Sequence, residues 1–216
     1  MMKQNPTNVV YNQIKDKIDQ GDYSPAQSLH EVQMATEFSV SRNTIKKALL
    51  MLENDGYVTI EENKGAKVRS YSRQEVLEYL ELREVLEGFI LRLAIAHMTD
   101  EHISRMRAIM EEMRRCMAAS DPIGYSALNR EFHNVIYTVC PNRTTVEFIT
   151  RLKRQMKKYN AKTVLIPGRC ANSFEEHRAI LDAIEKHDPA QAEACMCAHL
   201  RNVRGVFEAY YAFLFS

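Results

Sequence analysis

Three histidines carry the first chemistry legible in this chain of 216 residues. His133, His177 and His199 each fall on the apolar stripe of a separate helix-like segment. His133 shares its stripe with Tyr125, Phe132 and Ile136, His177 with Ile180, Leu181 and Ile184, and His199 with Ala192, Cys195, Val203 and Val206. Helical periodicity turns all three imidazoles toward an interior. A single histidine on such a face is usually a core residue with a satisfied hydrogen bond, and that reading stays open. Three on separate core faces make a shared ligand the sharper alternative. Asn129 precedes His133 by four residues and therefore shares its face. Three imidazole nitrogens and one amide oxygen suit a divalent metal such as zinc, nickel, iron or manganese. Such a set leaves coordination positions open for water or a small ligand.

A second chemistry lies between Ser41 and Asn54. Ser41 is a helix N-cap residue, and Ile45, Ala48, Leu49 and Leu52 form the apolar face behind it. Arg42, Asn43, Lys46 and Lys47 occupy the other side, with Arg42 and Lys46 one turn apart. Arg, Lys and Asn near the N-terminus of a helix are suited to base edges in a major groove. Ser41, Thr44 and the free backbone N–H groups suit phosphate oxygens. A solvated basic face on an ordinary helix is the plainer alternative. Charge placement argues for DNA: residues 1–72 hold nine basic and nine acidic side chains, yet residues 41–50 hold three basic and no acidic ones. One such unit binds weakly. A homodimer on a pseudo-palindromic duplex site doubles the phosphate contacts.

Cys195 and Cys197 invite a redox or metal reading, but on a helix residues two apart point about 200° away from each other. With Cys116, Cys140 and Cys170 they make an odd set without zinc-finger spacing, read as reduced intracellular thiols. The N-terminus has no apolar signal core, and no stretch approaches the roughly 18 apolar residues of a membrane span. A cytoplasmic protein without membrane contact is expected.

The elements that position these residues follow from pattern and punctuation. Hydrophobic residues at 45% permit a core, and seven Gly, eleven Met and no Trp favour a helical one. A formal charge of +1 excludes a globally basic nucleic-acid coat. Before residue 70 the elements are short. Helices are expected over 8–20, 31–38 and 41–54, then strands over 57–61 and 66–70 around the turn Glu62-Asn63-Lys64-Gly65. Lys64 and Gly65 form a small basic wing tip. Long helices follow over about 73–97, 100–118, 122–139, 142–159, 173–187 and 190–213, with a loop over 160–172. Asp121-Pro122 and Asp188-Pro189 open two of them, and Ser173 with Glu176 has capping-box spacing. The fold class is mainly α. It comprises a winged helix-turn-helix (three helices plus a β-hairpin, domain 1–72) and an all-α bundle of about six helices (domain 73–216).

The run Leu29, Glu31, Met34-Ala35, Val40-Ser41-Arg42-Asn43-Thr44-Ile45-Lys46-Lys47-Ala48-Leu49, Leu52-Glu53, Asp55-Gly56-Tyr57-Val58 and Gly65-Ala66-Lys67-Val68 resembles the GntR-family winged helix. The resemblance implies that Arg42 and Lys46 read an operator, assisted by the wing near Lys64 and Gly65. Two positions depart from it: Val32 and Lys46 stand where the family usually has Arg. Arg83, Leu86-Glu87, Asn129, Phe132-His133, Glu176-His177, Ile180, Ala183-Ile184 and His199-Leu200 are similar to the FCD ligand-binding domain of the FadR type. That resemblance implies a divalent metal on the histidines, a small carboxylate effector on the metal, and Arg83 as a partner for its carboxylate. Asn129 stands at the usual Asp position, which weakens the metal and leaves the site its full positive charge. Arg83 has a competing use, an i,i+4 ion pair with Glu87 on the helix surface.

A transcription regulator controlled by a small organic acid is therefore expected. A metalloenzyme on the same histidines would need a general base. Glu176 is the one acid that the pattern places beside them, and the capping box engages it. An effector-independent or redox-sensing DNA-binding protein is the remaining alternative.

Overall fold

The computed structural model describes residues 5–61, 65–156, 159 and 163–215. The chain divides into two compact units, Met1–Ser72 and Arg73–Ser216.

The first unit opens with α1 (Pro6–Gln20). Asn5 caps it through a Thr7 N–H bond of 3.0 Å, and Pro6 occupies the first turn, so the helix begins two residues earlier than the apolar pattern alone indicates. Gly21 ends it at φ +91°, a left-handed stop. After β1 (Ser28–Leu29) come α2 (Glu31–Glu37) and α3 (Arg42–Asn54). Ser41 caps α3, accepting from Thr44 N–H at 3.1 Å. Strands β2 (Val58–Glu61) and β3 (Gly65–Val68) form the hairpin. The antiparallel sheet has the order β1-β3-β2, with Leu29 opposite Ala66 and Ile60 opposite Ala66 from the other side. Strand β1 was not expected; two residues are too few to show alternation. Val10, Ile14, Met34, Ile45, Leu49, Leu52, Val58 and Val68 form one buried core. The apolar face of α3 is thereby fixed inward, and its cationic face is left outside.

The second unit consists, among the described residues, of α4 (Arg73–Ala94), α5 (Asp100–Ala118), α6 (Pro122–Val139), α7 (Arg143–Gln155), α8 (Arg169–Glu185) and α9 (Pro189–Phe215). Short 3₁₀ turns cover Ile95–His97 and Thr163–Leu165. Asp121 caps α6 through Gly124 N–H at 2.9 Å, and Asp188 receives Gln191 N–H at 2.9 Å. Helix α4 packs most extensively on α9, α5 on α6 and α8. Ile90, Leu91, Met106, Met113, Phe132, Ile136, Ile180, Ile184 and Met196 fill the space between them. Helix α8 starts at Arg169, one turn before Ser173. The capping box expected at Ser173 and Glu176 is therefore absent: Ser173 is buried inside the helix, and the chain enters it through left-handed Gly168.

Candidate functional site

On α3 the expected DNA-facing residues share one exposed surface. Ser41, Arg42, Asn43, Lys46 and Lys47 are exposed and Thr44 is half-buried, its hydroxyl 2.9 Å from that of Ser41. Lys46 and Lys47 have no ion-pair partner among the described residues. Arg42 lies 3.8 Å from Glu31 on α2, a long contact between mostly exposed groups that costs little to exchange for a phosphate or base. Val32, at the position where the GntR-family winged helix usually has Arg, is 58% exposed on the neighbouring helix. Gly65 opens β3 at φ +87°, a conformation that suits a turn without a side chain. The expected wing contact Lys64 lies outside the described residues.

In the helical unit the three histidines meet. His133 on α6, His177 on α8 and His199 on α9 are all buried, and one ring nitrogen from each lies within 4.8 Å of the others. Their tautomers follow from their partners. His177 Nδ1 is 2.6 Å from the Ser173 carbonyl, which only accepts, so Nδ1 carries the proton and Nε2 presents a lone pair. His199 Nδ1 is 2.6 Å from Glu176 Oε2 and donates to it. His133 Nδ1 lies 3.2 Å from Glu87 Oε2, close but off the line of a hydrogen bond. Its Nε2 stands 3.4 Å from Nε2 of His177.

Two carboxylates support this cluster: Glu176, which the pattern places beside the histidines but commits to a capping box, and Glu87, which the pattern does not place there. Glu176 is held by Arg169, with Nη1 and Nη2 at 2.9 and 2.8 Å, and by Asn202 at 2.9 Å. Burial pushes its carboxyl up, but the bonds from His199 and Arg169 overrule this and hold it down at about 2. Glu87 is fully buried, accepting from Arg83 Nε at 2.6 Å and from the Tyr137 hydroxyl. Lys153 Nζ donates to Tyr137 at 2.7 Å and lies 3.4 Å from Glu87. Against the cost of burial, Arg83, Lys153 and His133 keep Glu87 ionised well below the usual carboxylate range. Glu176 is therefore not the one inward acid near the histidines, as the pattern has it: Glu87 is a second.

Arg83 is paired with Glu87 as its i,i+4 spacing allows, but the pair lies in the interior and not, as expected, on the helix surface. The signal available in the sequence was its i,i+4 spacing together with an apolar flank on both sides.

Burial lowers all three imidazoles: His133 to about 3, with the Lys153 charge adding to the effect, His177 well below its ordinary value, and His199 more mildly, opposed by Glu176. They are neutral at neutral pH, the form that binds metal. Bonds of 2.0–2.1 Å from a tetrahedral zinc place imidazole nitrogens roughly 3.3 Å apart, close to the His133–His177 separation. Asn129, one turn before His133, has a buried Oδ1 with no hydrogen-bond partner among the described residues. Three converging lone pairs and an orphaned amide oxygen fit a divalent cation. The five cysteines are free thiols, and none belongs to this cluster. No helix among the described residues is long and apolar enough to cross a membrane.

Comparison with known proteins bears on both units. Residues 6–68 match the family of bacterial regulatory proteins called the gntR family, and residues 78–202 match the FCD domain. The Uxu operon transcriptional regulator of Escherichia coli (strain K12) is 28% identical over 222 residues, covering 93% of this chain and 86% of that one. The HTH-type transcriptional regulator LutR of Bacillus subtilis (strain 168) is 26% identical over 215 residues, covering 90% and 97%. In fold, E. coli McbR/YncC superposes with a TM-score of 0.74 at 19% identity, over 96% of this chain and all of that one. The chain belongs to the GntR family with a C-terminal FCD domain: it is a DNA-binding transcriptional regulator with an effector-binding domain, and not an enzyme.

Proposed function

We propose that this regulator senses a small organic acid through a divalent metal held by His133, His177, His199 and Asn129. The observation that carries the reading is the facing pair of Nε2 atoms on His133 and His177, 3.4 Å apart. His177 Nε2 has no proton to give. A neutral His133 has one proton, and Glu87 at Nδ1 competes for it. If His133, His177 and His199 held a cation through Nε2, the conflict would be removed and each Nδ1 proton would be free to face Glu87, Ser173 and Glu176 respectively. The metal, when bound, supplies a Lewis-acidic centre for an effector carboxylate. Asn129 contributes a neutral oxygen, so the ligand set adds no negative charge and favours an anion. Arg83 and Lys153 outnumber Glu87 and supply further positive charge beside His133, where Arg83 meets a second anionic group of the effector.

Arg42, Asn43, Lys46 and Lys47 read base edges, Ser41 and Thr44 contact phosphate, and Lys64 and Gly65 bring the wing to the adjacent groove. A homodimer on a pseudo-palindromic operator supplies the phosphate contacts that one nearly neutral unit lacks, and its action is cytoplasmic. The effector changes operator affinity only by binding one arrangement of the dimer better than another.

The test is an anisotropy titration of DNA from the protein's own promoter region, with zinc-loaded protein and a panel of hydroxy and sugar acids. One acid is expected to shift the apparent Kd about tenfold, a coupling of roughly 1.4 kcal/mol, and to have no effect on His199→Ala. Equal shifts in both proteins would sink the reading.

A further inference from the structure

The positive charge of the chain is concentrated outside its first unit. Residues 143–162 hold seven basic side chains and one acidic one, whereas the rest of the chain holds 22 basic and 27 acidic. Four of the seven lie on α7; Lys157, Lys158 and Lys162 lie outside the described residues. Lys153 turns inward to Glu87 and Tyr137. Arg143, Arg151 and Arg154 are exposed. Ile149 and Met156, buried on the opposite side, fix that orientation. At about 100° per residue the three arginines fall within about 80° around the helix axis, and they span roughly 16 Å along it.

Elsewhere on the same unit exposed arginines are matched with acids. Arg107, Arg114, Arg115, Arg178 and Arg201 each meet a glutamate in an ion pair. Arg143, Arg151 and Arg154 have no ion-pair partner among the described residues, although Glu147 stands four residues from both Arg143 and Arg151. Helix stability does not account for all three. Arg154 in the last turn suits the helix dipole, but Arg143 is the first residue of α7 and opposes it, with no acid in that turn. Arg151 lies over the exposed ring of Phe148, 6.0 Å from its centroid, which steadies the guanidinium without neutralising it.

Three uncompensated guanidinium groups on one helix face complement a polyanion. The chain belongs to a DNA-binding family, so duplex DNA is the polyanion it is held against. The first unit, with nine basic and nine acidic side chains, adds no net attraction to that duplex. A duplex carries one charge per roughly 1.7 Å of axis, so a length of about 16 Å offers each arginine a phosphate of its own. We infer that the exposed face of α7 is a second, sequence-independent contact surface for the phosphate backbone of duplex DNA. Arginine suits it, because its fork grips phosphate oxygens in pairs. The inference rests neither on a metal at the histidines nor on base reading by α3.

Anisotropy titration of the full chain with a random-sequence duplex of about 40 base pairs, over about 50 to 200 mM salt, tests it. Arg143→Gln, Arg151→Gln and Arg154→Gln together are expected to lower the slope of log K against log salt by about 2.7 per chain, at about 0.9 per phosphate contact, and to weaken binding about tenfold. Arg114→Gln, Arg115→Gln and Arg178→Gln together remove the same charge from paired positions and should change the slope by less than about 0.5. The α7 loss should recur in an Arg42→Ala, Lys46→Ala background, which separates it from any failure of α3. All these positions are exposed, and helical circular dichroism checks that each variant is folded. An unchanged slope in the α7 variant, or an equal fall in the two triple variants, would overturn the proposal. So would α7-dependent sedimentation with phosphatidylglycerol vesicles and no change on DNA, which would assign the face to a lipid surface.

Discussion

Glu176 and His199 are joined at 2.6 Å, and that bond fixes which nitrogen of His199 faces the other two histidines. Nδ1 must donate to the carboxylate, so Nε2 stays bare and inward. Arg169 and Asn202 in turn fix Glu176. The expected consequence is that Glu176→Gln, which keeps shape but removes charge, lowers zinc affinity about 10- to 100-fold. Competition against a chromophoric chelator measures this; a change below about twofold would mean that Glu176 does not orient the site.

Asn129 offers a buried oxygen, unpartnered among the described residues, where a charged ligand would bind a cation more tightly. Asn129→Asp should raise zinc affinity by roughly tenfold, about 1.4 kcal/mol, and Asn129→Ala should lower it. The same competition assay checks both. An Asp variant that binds no better would place Asn129 outside the coordination sphere.

Burial of neutral histidines sets an acid limit on the metal-free fold. His133 titrates at about 3 in the folded chain and near its ordinary 6.5 when unfolded. Between those values the unfolded chain takes up a proton that the folded chain refuses. Stability is therefore fully present above about pH 6.5 and falls with acidification by up to about 1.4 kcal/mol per pH unit per histidine. Glu176, held at about 2 against an ordinary 4.5, adds to the loss below pH 4.5. Urea melts of metal-free protein from pH 7 to pH 4 should show this slope, and His133→Phe should flatten it.

Glu87 balances two buried or half-buried cations, Arg83 and Lys153. Glu87→Gln leaves both without their carboxylate and should destabilise the helical unit by about 3–5 kcal/mol. Thermal melting gives the number. A loss under about 1 kcal/mol would show that water replaces the carboxylate at no cost.

Operator contact by α3 is tested through salt. Arg42→Ala and Lys46→Ala should each weaken binding to the protein's own promoter DNA. A phosphate contact lowers the slope of log K against log salt by about 1, whereas a base contact costs about 1–3 kcal/mol at one sequence position. Unchanged affinity in the double variant would remove α3 from the groove.

Much of this site was legible as faces rather than as contacts. Helical periodicity turned His133, His177 and His199 inward because Phe132, Ile180 and Val206 keep the same phase. It had no means to show that α6, α8 and α9 bring the three rings together, since that depends on packing. Glu87 was hidden because a glutamate four residues after an arginine also describes an exposed pair. Ser173 and Glu176 imitated a helix start, while the real entry, Pro167-Gly168, carried the stronger backbone signal. The unexpected strand Ser28–Leu29 is defined only by its partner β3.

Native mass spectrometry of the intact chain, with elemental analysis of the same sample, tests the central claim most directly. One divalent ion per chain is expected after exposure to micromolar zinc and removal of the excess. It should be lost in His177→Ala while the helical circular dichroism is retained. A folded wild-type chain that stays metal-free, or a His177→Ala variant that keeps its ion, would contradict the account.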